Sequence, residues 1–165
     1  MIASHDPGHD KALRGQLAAL AGELNLRCRD KWTIIGSAAA WLVGADVEVA
    51  DIDVMTSVRD AETLLACWAS QRLPVVPSDV SDLFRSRYGR FAFEPWRVEV
   101  MGGLELHVDG AGWQPVRARN VTPVDVLGHA VMIPTRAEQV RILRSFGREK
   151  DLARAALLSI RQEIH

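Results

Sequence analysis

The chain has 165 residues, 48% of them apolar and 25% charged, with a formal net charge of −1, which is the size and make-up of one domain able to bury a core without staples. The longest weakly polar stretch, Thr33 to Ala45, is far short of the ~20 residues a membrane span requires, and the two cysteines, Cys28 and Cys67, with no Cys-x-x-Cys, exclude a disulfide scaffold and a cysteine zinc site. Residues Met1 to Asp10 carry acids, histidines and a glycine where a signal peptide shows a basic start and an apolar run, so a soluble cytoplasmic domain with no membrane partner is expected.

In chain order, Leu13, Leu17, Leu20 and Leu24 recur at helical spacing and predict a first helix over about residues 10–27. Trp32 to Ile35 reads as a short buried strand. Gly36-Ser37 ends it, and a small-residue helix, Ala38 to Val43, stops at Gly44. Asp51-Ile-Asp-Val-Met55 alternates polar and apolar residues, the period of a strand. Ser57 and Asp60 have capping-box spacing for a third helix running to about Ser70. Leu73 to Val76 is expected at a sheet edge because Pro74 cannot donate to a ladder. The arginine-rich stretch from Ser78 to Arg90 reads as a loop with one helical turn, and Arg90 to Val108 as two or three strands turning near Pro95 and Gly102-Gly103. Asp109 to Gly112 is a further turn before a strand reaching Val121. Thr122-Pro123 reads as the start of a short helix, and Thr135-x-x-Glu138 as a capping box for another, broken at Gly147 and continuing to about Ile160. The C-terminal helices would thus occupy about residues 123–162. The order of elements predicts an α+β fold with a mixed sheet in a single domain over residues 1–165.

Three acidic residues stand out. Asp51 and Asp53, two apart on one strand, would project from the same face while Ile52 and Val54 enter the core. Their mutual repulsion calls for a cation between them, and a hard divalent ion such as Mg²⁺ suits oxygen ligands. Glu99, in Arg97-Val-Glu-Val100, is flanked by valines on an interior strand, where a carboxylate needs a partner. Gly36-Ser37 joins a buried strand to a helix start, which equally suits a phosphate cradle and a plain capped turn. Residues 1–82 carry 12 acids against 7 bases and residues 83–165 carry 9 against 13, an asymmetry that suits a cleft between a metal-binding and an anion-binding half.

Ile35-Gly-Ser-Ala, Gly44, Asp51-Ile-Asp-Val54 and a third acidic strand residue, with Arg148-Glu-Lys-Asp151-Leu at the end, resemble the DNA polymerase β-type nucleotidyltransferase superfamily. The small bacterial members, including aminoglycoside nucleotidyltransferases and AbiEii-type toxins, are the most similar. The resemblance spans about Trp32 to Leu158. It implies a nucleotidyltransferase-like mixed sheet flanked by helices and Mg²⁺-dependent transfer of an NMP from an NTP to an acceptor hydroxyl on a small molecule, an RNA end or a protein. It implies, further, that Gly36 and Ser37 hold the triphosphate, that Asp51 and Asp53 bind Mg²⁺, and that Glu99 binds a second ion or serves as general base. Lys150, with Arg148 beside it, would contact the β- and γ-phosphates. Glu99 departs from the pattern, since many members carry aspartate there. The other function considered is a non-catalytic nucleotide-binding or toxin–antitoxin module that keeps the fold. A haloacid-dehalogenase-type phosphatase lacks its distal Gly-Asp-x-x-x-Asp in this sequence.

Other features are given structural readings. His5 and His9 flank Pro7 and Gly8 and are not expected to bind metal. Trp32, Trp41, Trp68 and Cys67 are expected in the core, with Trp96 or Trp113 available to stack a base. Arg85, Arg87 and Arg90 could line the acceptor side, though a solvated cluster is the plainer reading. Near-neutral charge gives nucleic acid only weak support.

Overall fold

A computed structural model describes residues 6–76 and 81–162, so His5 and the start of the Ser78–Arg90 stretch lie outside the described residues. Helix α1 spans Pro7–Arg27, with Asp6 as its N-cap and proline at the start. Strand β1 (Thr33–Ile35) leads directly into α2 (Gly36–Leu42). Strand β2 (Ile52–Thr56) is followed by α3 (Val58–Cys67), whose N-cap Ser57 accepts a hydrogen bond from Asp60 N. The Asp60 carboxylate does not close the box; it accepts from the backbone N–H groups of Arg29 and Asp30 and so ties the α1–β1 connection to α3. A 3₁₀ turn (Ala69–Gln71) leads to β3 (Arg72–Leu73) at the sheet edge.

The region after β3 differs from the sequence expectation. The stretch expected to be a loop contains β4 (Phe84–Phe91), and β5 (Val98–Val108) runs unbroken through Gly102-Gly103. The turn near Pro95 is present, with a cis Glu94–Pro95 bond. After β6 (Gly112–Pro115), the expected helix at Thr122-Pro123 is instead a hairpin of β7 (Val121–Val126) and β8 (His129–Pro134). Its two-residue loop, Leu127-Gly128, has positive φ at both positions, the turn that matches strand twist. Asp125 Oδ1 accepts from Gly128 N at 2.9 Å. Helix α4 (Arg136–Phe146) is capped by Thr135 and ends at left-handed Gly147; α5 (Glu149–Gln162) follows. The C-terminal helices therefore begin at Arg136, not near residue 123. The Glu138 carboxylate, like that of Asp60, caps a neighbouring segment, accepting from Arg119 N and Asn120 N.

The main sheet is mixed, in the order β1-β2-β5-β4-β3, with β6 paired to the far end of β5 and only the β2–β5 pair parallel. One sheet face carries Ile34, Ile52, Val54, Val98, Val100 and Phe91 into a core with Leu13, Leu17 and Leu24 of α1 and Leu64 of α3. Each of these large side chains contributes roughly 1.5–3 kcal/mol by leaving water. Trp32, Trp68 and Trp96 are buried, and the Trp96 indole donates to Val49 O, so Trp96 is a core residue rather than a base-stacking one. Trp41 is half-buried against the core, and Cys67, expected inside, is exposed. No helix among the described residues is long and apolar enough to cross a membrane.

Candidate functional site

On the other face of the sheet, strand register writes a row of charge. Asp53 of β2 lies opposite Ile35 of β1 on one side and Glu99 of β5 on the other, and Glu99 lies opposite Arg90 of β4. Residues paired in register project to the same face. The next row along the strands holds Met55, Met101 and Tyr88. Gly36, Ser37, Asp51, Asp53 and Glu99 on the sheet side and Arg148, Lys150 and Arg154 on the α5 side line one cavity of about 820 Å³.

Asp53 is the centre of this arrangement. Its Oδ1 atom is out of contact with solvent and accepts no hydrogen bond. Burial pushes its carboxyl well above the usual carboxylate range, the adjacent Glu99 carboxylate and then Asp51 push it the same way, and Arg154 opposes them. Glu99 receives a hydrogen bond from the Tyr88 hydroxyl on Oε1 at 2.8 Å, and Arg90 Nε stands 3.6 Å from the same oxygen. Asp51 immediately precedes β2 and is drawn toward Arg97, whose Nε is 3.5 Å from Asp51 Oδ1. The three predicted carboxylates thus share one cavity. They do not close into a ligand cluster, and no group of three acidic, histidine or cysteine side chains does so among the described residues.

The bend between β1 and α2 touches Asp53 directly. Gly36 has φ of 74°, and a β-carbon there would stand 2.6 Å from Asp53 Oδ2. Glycine is therefore required for conformation and for space alike. Ser37 is buried, and its hydroxyl oxygen accepts from Ala50 N at 3.3 Å, joining the bend to the segment that leads into Asp51.

Immediately before α5, Arg148 grips the buried Asp151 through two bonds, Nε to Oδ2 at 2.6 Å and Nη2 to Oδ1 at 3.0 Å, and lies 4.9 Å over the Phe84 ring. Arg148 is fixed in the cavity wall. Lys150 is exposed at the cavity rim, and Arg154 lies one helical turn further on, half-buried. Sequence reasoning missed Arg154 and Tyr88. The i, i+4 spacing of Lys150 and Arg154 and the period-two spacing of Tyr88 and Arg90 were the available signals.

Arg85 and Arg87 line the cavity along with Tyr88, but their guanidinium groups are engaged by other partners. Arg85 pairs with Glu105 at 2.9 Å and stacks on Trp113, and Arg87 lies 3.5 Å from Glu62 of α3. The structure therefore brings Arg90, but not the other two arginines, to the carboxylates.

No protein-family model matches the chain, and no curated protein matches it in sequence. Solved structures do match in fold. The proposed nucleotidyltransferase TM1012 of Thermotoga maritima superposes with a TM-score of 0.69 at 18% identity, covering 90% of this chain and 91% of that one. The lincosamide antibiotic adenylyltransferase LnuA, in a lincomycin-bound structure, superposes with a TM-score of 0.56 at 8% identity, covering 87% and 95%. The chain has the nucleotidyltransferase fold.

Proposed function

We propose that this protein is a Mg²⁺-dependent nucleotidyltransferase that moves an NMP from an NTP to an acceptor hydroxyl, on a small molecule, an RNA end or a protein, and releases pyrophosphate. The observation that carries the reading is Asp53: a carboxylate oxygen shielded from solvent, without a hydrogen-bond donor, beside a second carboxylate. Such an atom fits a hard cation, which is the usual remedy for two acids that repel. Asp53 and Asp51 would hold the ion, Asp51 by leaving Arg97, with Glu99 beside them. When bound, Mg²⁺ neutralises phosphate charge and polarises the phosphoryl oxygens.

The protein's own groups supply the rest. Gly36 lets the backbone approach a phosphate without a side chain in the way. The Ser37 oxygen already accepts from Ala50 N, which leaves its hydrogen to donate to a phosphate oxygen. Lys150 and Arg154 share the α5 side of the cavity and offer positive charge to the β- and γ-phosphates. Arg148, committed to Asp151, braces the start of α5 instead. Glu99 takes the acceptor proton as the hydroxyl oxygen attacks the α-phosphorus. The bond from that phosphorus to the bridging oxygen breaks, and its electron pair leaves with pyrophosphate.

Calorimetry with ATP and the other NTPs, with and without Mg²⁺, tests the reading. Binding that requires Mg²⁺ and disappears in Asp53→Ala, while circular dichroism and the melting transition persist, is the expected result. Absence of Mg²⁺-dependent binding of any NTP refutes it. Pyrophosphate release across a panel of hydroxyl acceptors then identifies the acceptor.

A further inference from the structure

Glutamate has one more rotatable bond than aspartate, and a glutamate placed beside a second carboxylate is repelled by it. Left free, the Glu99 side chain would swing from Asp53 toward solvent or toward Arg90. It is restrained instead: the Tyr88 hydroxyl donates to Oε1 at 2.8 Å from the adjacent strand, and Arg90 Nε stands 3.6 Å from the same atom. Tyr88 lies one row along the sheet from Glu99, opposite Met101, so its bond crosses the register diagonally and fixes the carboxylate along the strand direction. We propose that Tyr88 is a positioning residue whose hydroxyl holds the Glu99 carboxylate against Asp53, making the longer acid serve in a place where a shorter one would need no tether. The inference rests on the nucleotidyl-transfer reading for its consequence, but the grip itself is a property of the free protein.

Tyr88 is the only tyrosine in the chain, so replacement of tyrosine by 3-fluorotyrosine yields a single ¹⁹F resonance. Glu99→Ala and Glu99→Asp, which remove or shorten the acceptor, are both expected to move that resonance by more than its linewidth. An unmoved resonance in both variants overturns the proposal without reference to any activity. The second measurement is Mn²⁺-dependent binding of a non-hydrolysable ATP analogue by calorimetry. Tyr88→Phe, which keeps the ring and its packing, should weaken that binding about tenfold, as a carboxylate displaced by a fraction of an ångström would. In the Glu99→Ala background the same change should do nothing further. Equal affinity of Tyr88→Phe and the unaltered protein, or a full additional loss in the double variant, overturns the inference alone. If the unaltered protein binds no Mn²⁺–nucleotide, the functional reading falls and takes the role of Tyr88 with it. If Tyr88→Phe does not fold, the ¹⁹F comparison decides.

Discussion

Substituting alanine at Gly36 imposes two separable costs. The first is conformational: at φ of 74°, a residue with a β-carbon pays roughly 1–2 kcal/mol. The second is steric. The new methyl would stand 2.6 Å from Asp53 Oδ2, against 3.4 Å for ordinary contact, so the carboxylate or the bend must retreat by about 0.8 Å, and a displacement of that order at reacting groups can cost ~100-fold. Gly147 supplies the control. Its φ is 72°, nearly the same, yet a β-carbon there meets nothing nearer than Arg144 O at 3.8 Å. Urea unfolding should therefore show Gly147→Ala losing about 1 kcal/mol and Gly36→Ala clearly more, with melting temperatures falling ~2–4 °C per kcal/mol. Mg²⁺-dependent nucleotide affinity should survive in Gly147→Ala and fall at least tenfold in Gly36→Ala. Equal stability losses with unchanged affinity in both variants would refute the argument that the bend is fitted to Asp53.

Three other outcomes follow from the same geometry. Asp53→Asn should raise thermal stability by ~1–2 kcal/mol while abolishing Mg²⁺-dependent nucleotide binding, because it removes a desolvated charge beside Glu99. The raised carboxyl makes its contribution to folding at low pH and loses it as pH rises, so the advantage of asparagine should grow with pH; calorimetric melts across pH check this. Glu138, held to about 2 from 4.5 chiefly by Arg141 and by the Arg119 and Asn120 amides, should cost ~2 kcal/mol when changed to glutamine at neutral pH. Its depressed pKa places that contribution above pH 4.5, fading as pH falls toward 2, so acid unfolding curves of the two proteins should converge there. Lys150→Ala and Arg154→Ala should each weaken triphosphate binding about tenfold and monophosphate binding little, with unfolding free energies within ~0.5 kcal/mol of the parent.

The elements that were legible are those whose signals are local. Leucine spacing and chain punctuation marked α1, serine and threonine caps marked α3 and α4, and the alternation around Asp53 marked β2. The elements that were missed depend on neighbours. Phe84-Arg-Ser-Arg-Tyr-Gly-Arg-Phe91 has a polar look, and it is a strand because Phe84, Tyr88 and Arg90 face the cavity side while Gly89 and Phe91 meet α3 and the core. Gly102 did not mark a turn; it is there because a β-carbon would stand 2.4 Å from Ala61 Cβ of α3. Thr122-Pro123 carried a helix-start signal, but Pro123 pairs with Met132, and counting outward from the two-residue loop puts it at a position where no ladder bond needs its missing N–H.

By itself the sequence determined the chemistry available: a glycine that alone tolerates its bend, two carboxylates two residues apart, and a third acid between valines. These depend on backbone torsion and period, which neighbouring residues set. Only the tertiary structure decided how those groups are used. The parallel pairing of β2 with β5 set Asp53 beside Glu99, β4 brought the Tyr88 hydroxyl to Glu99, and packing of α5 turned Arg154 toward Asp53. Partners so far apart in the chain meet through strand register and helix packing, which no short window of residues encodes.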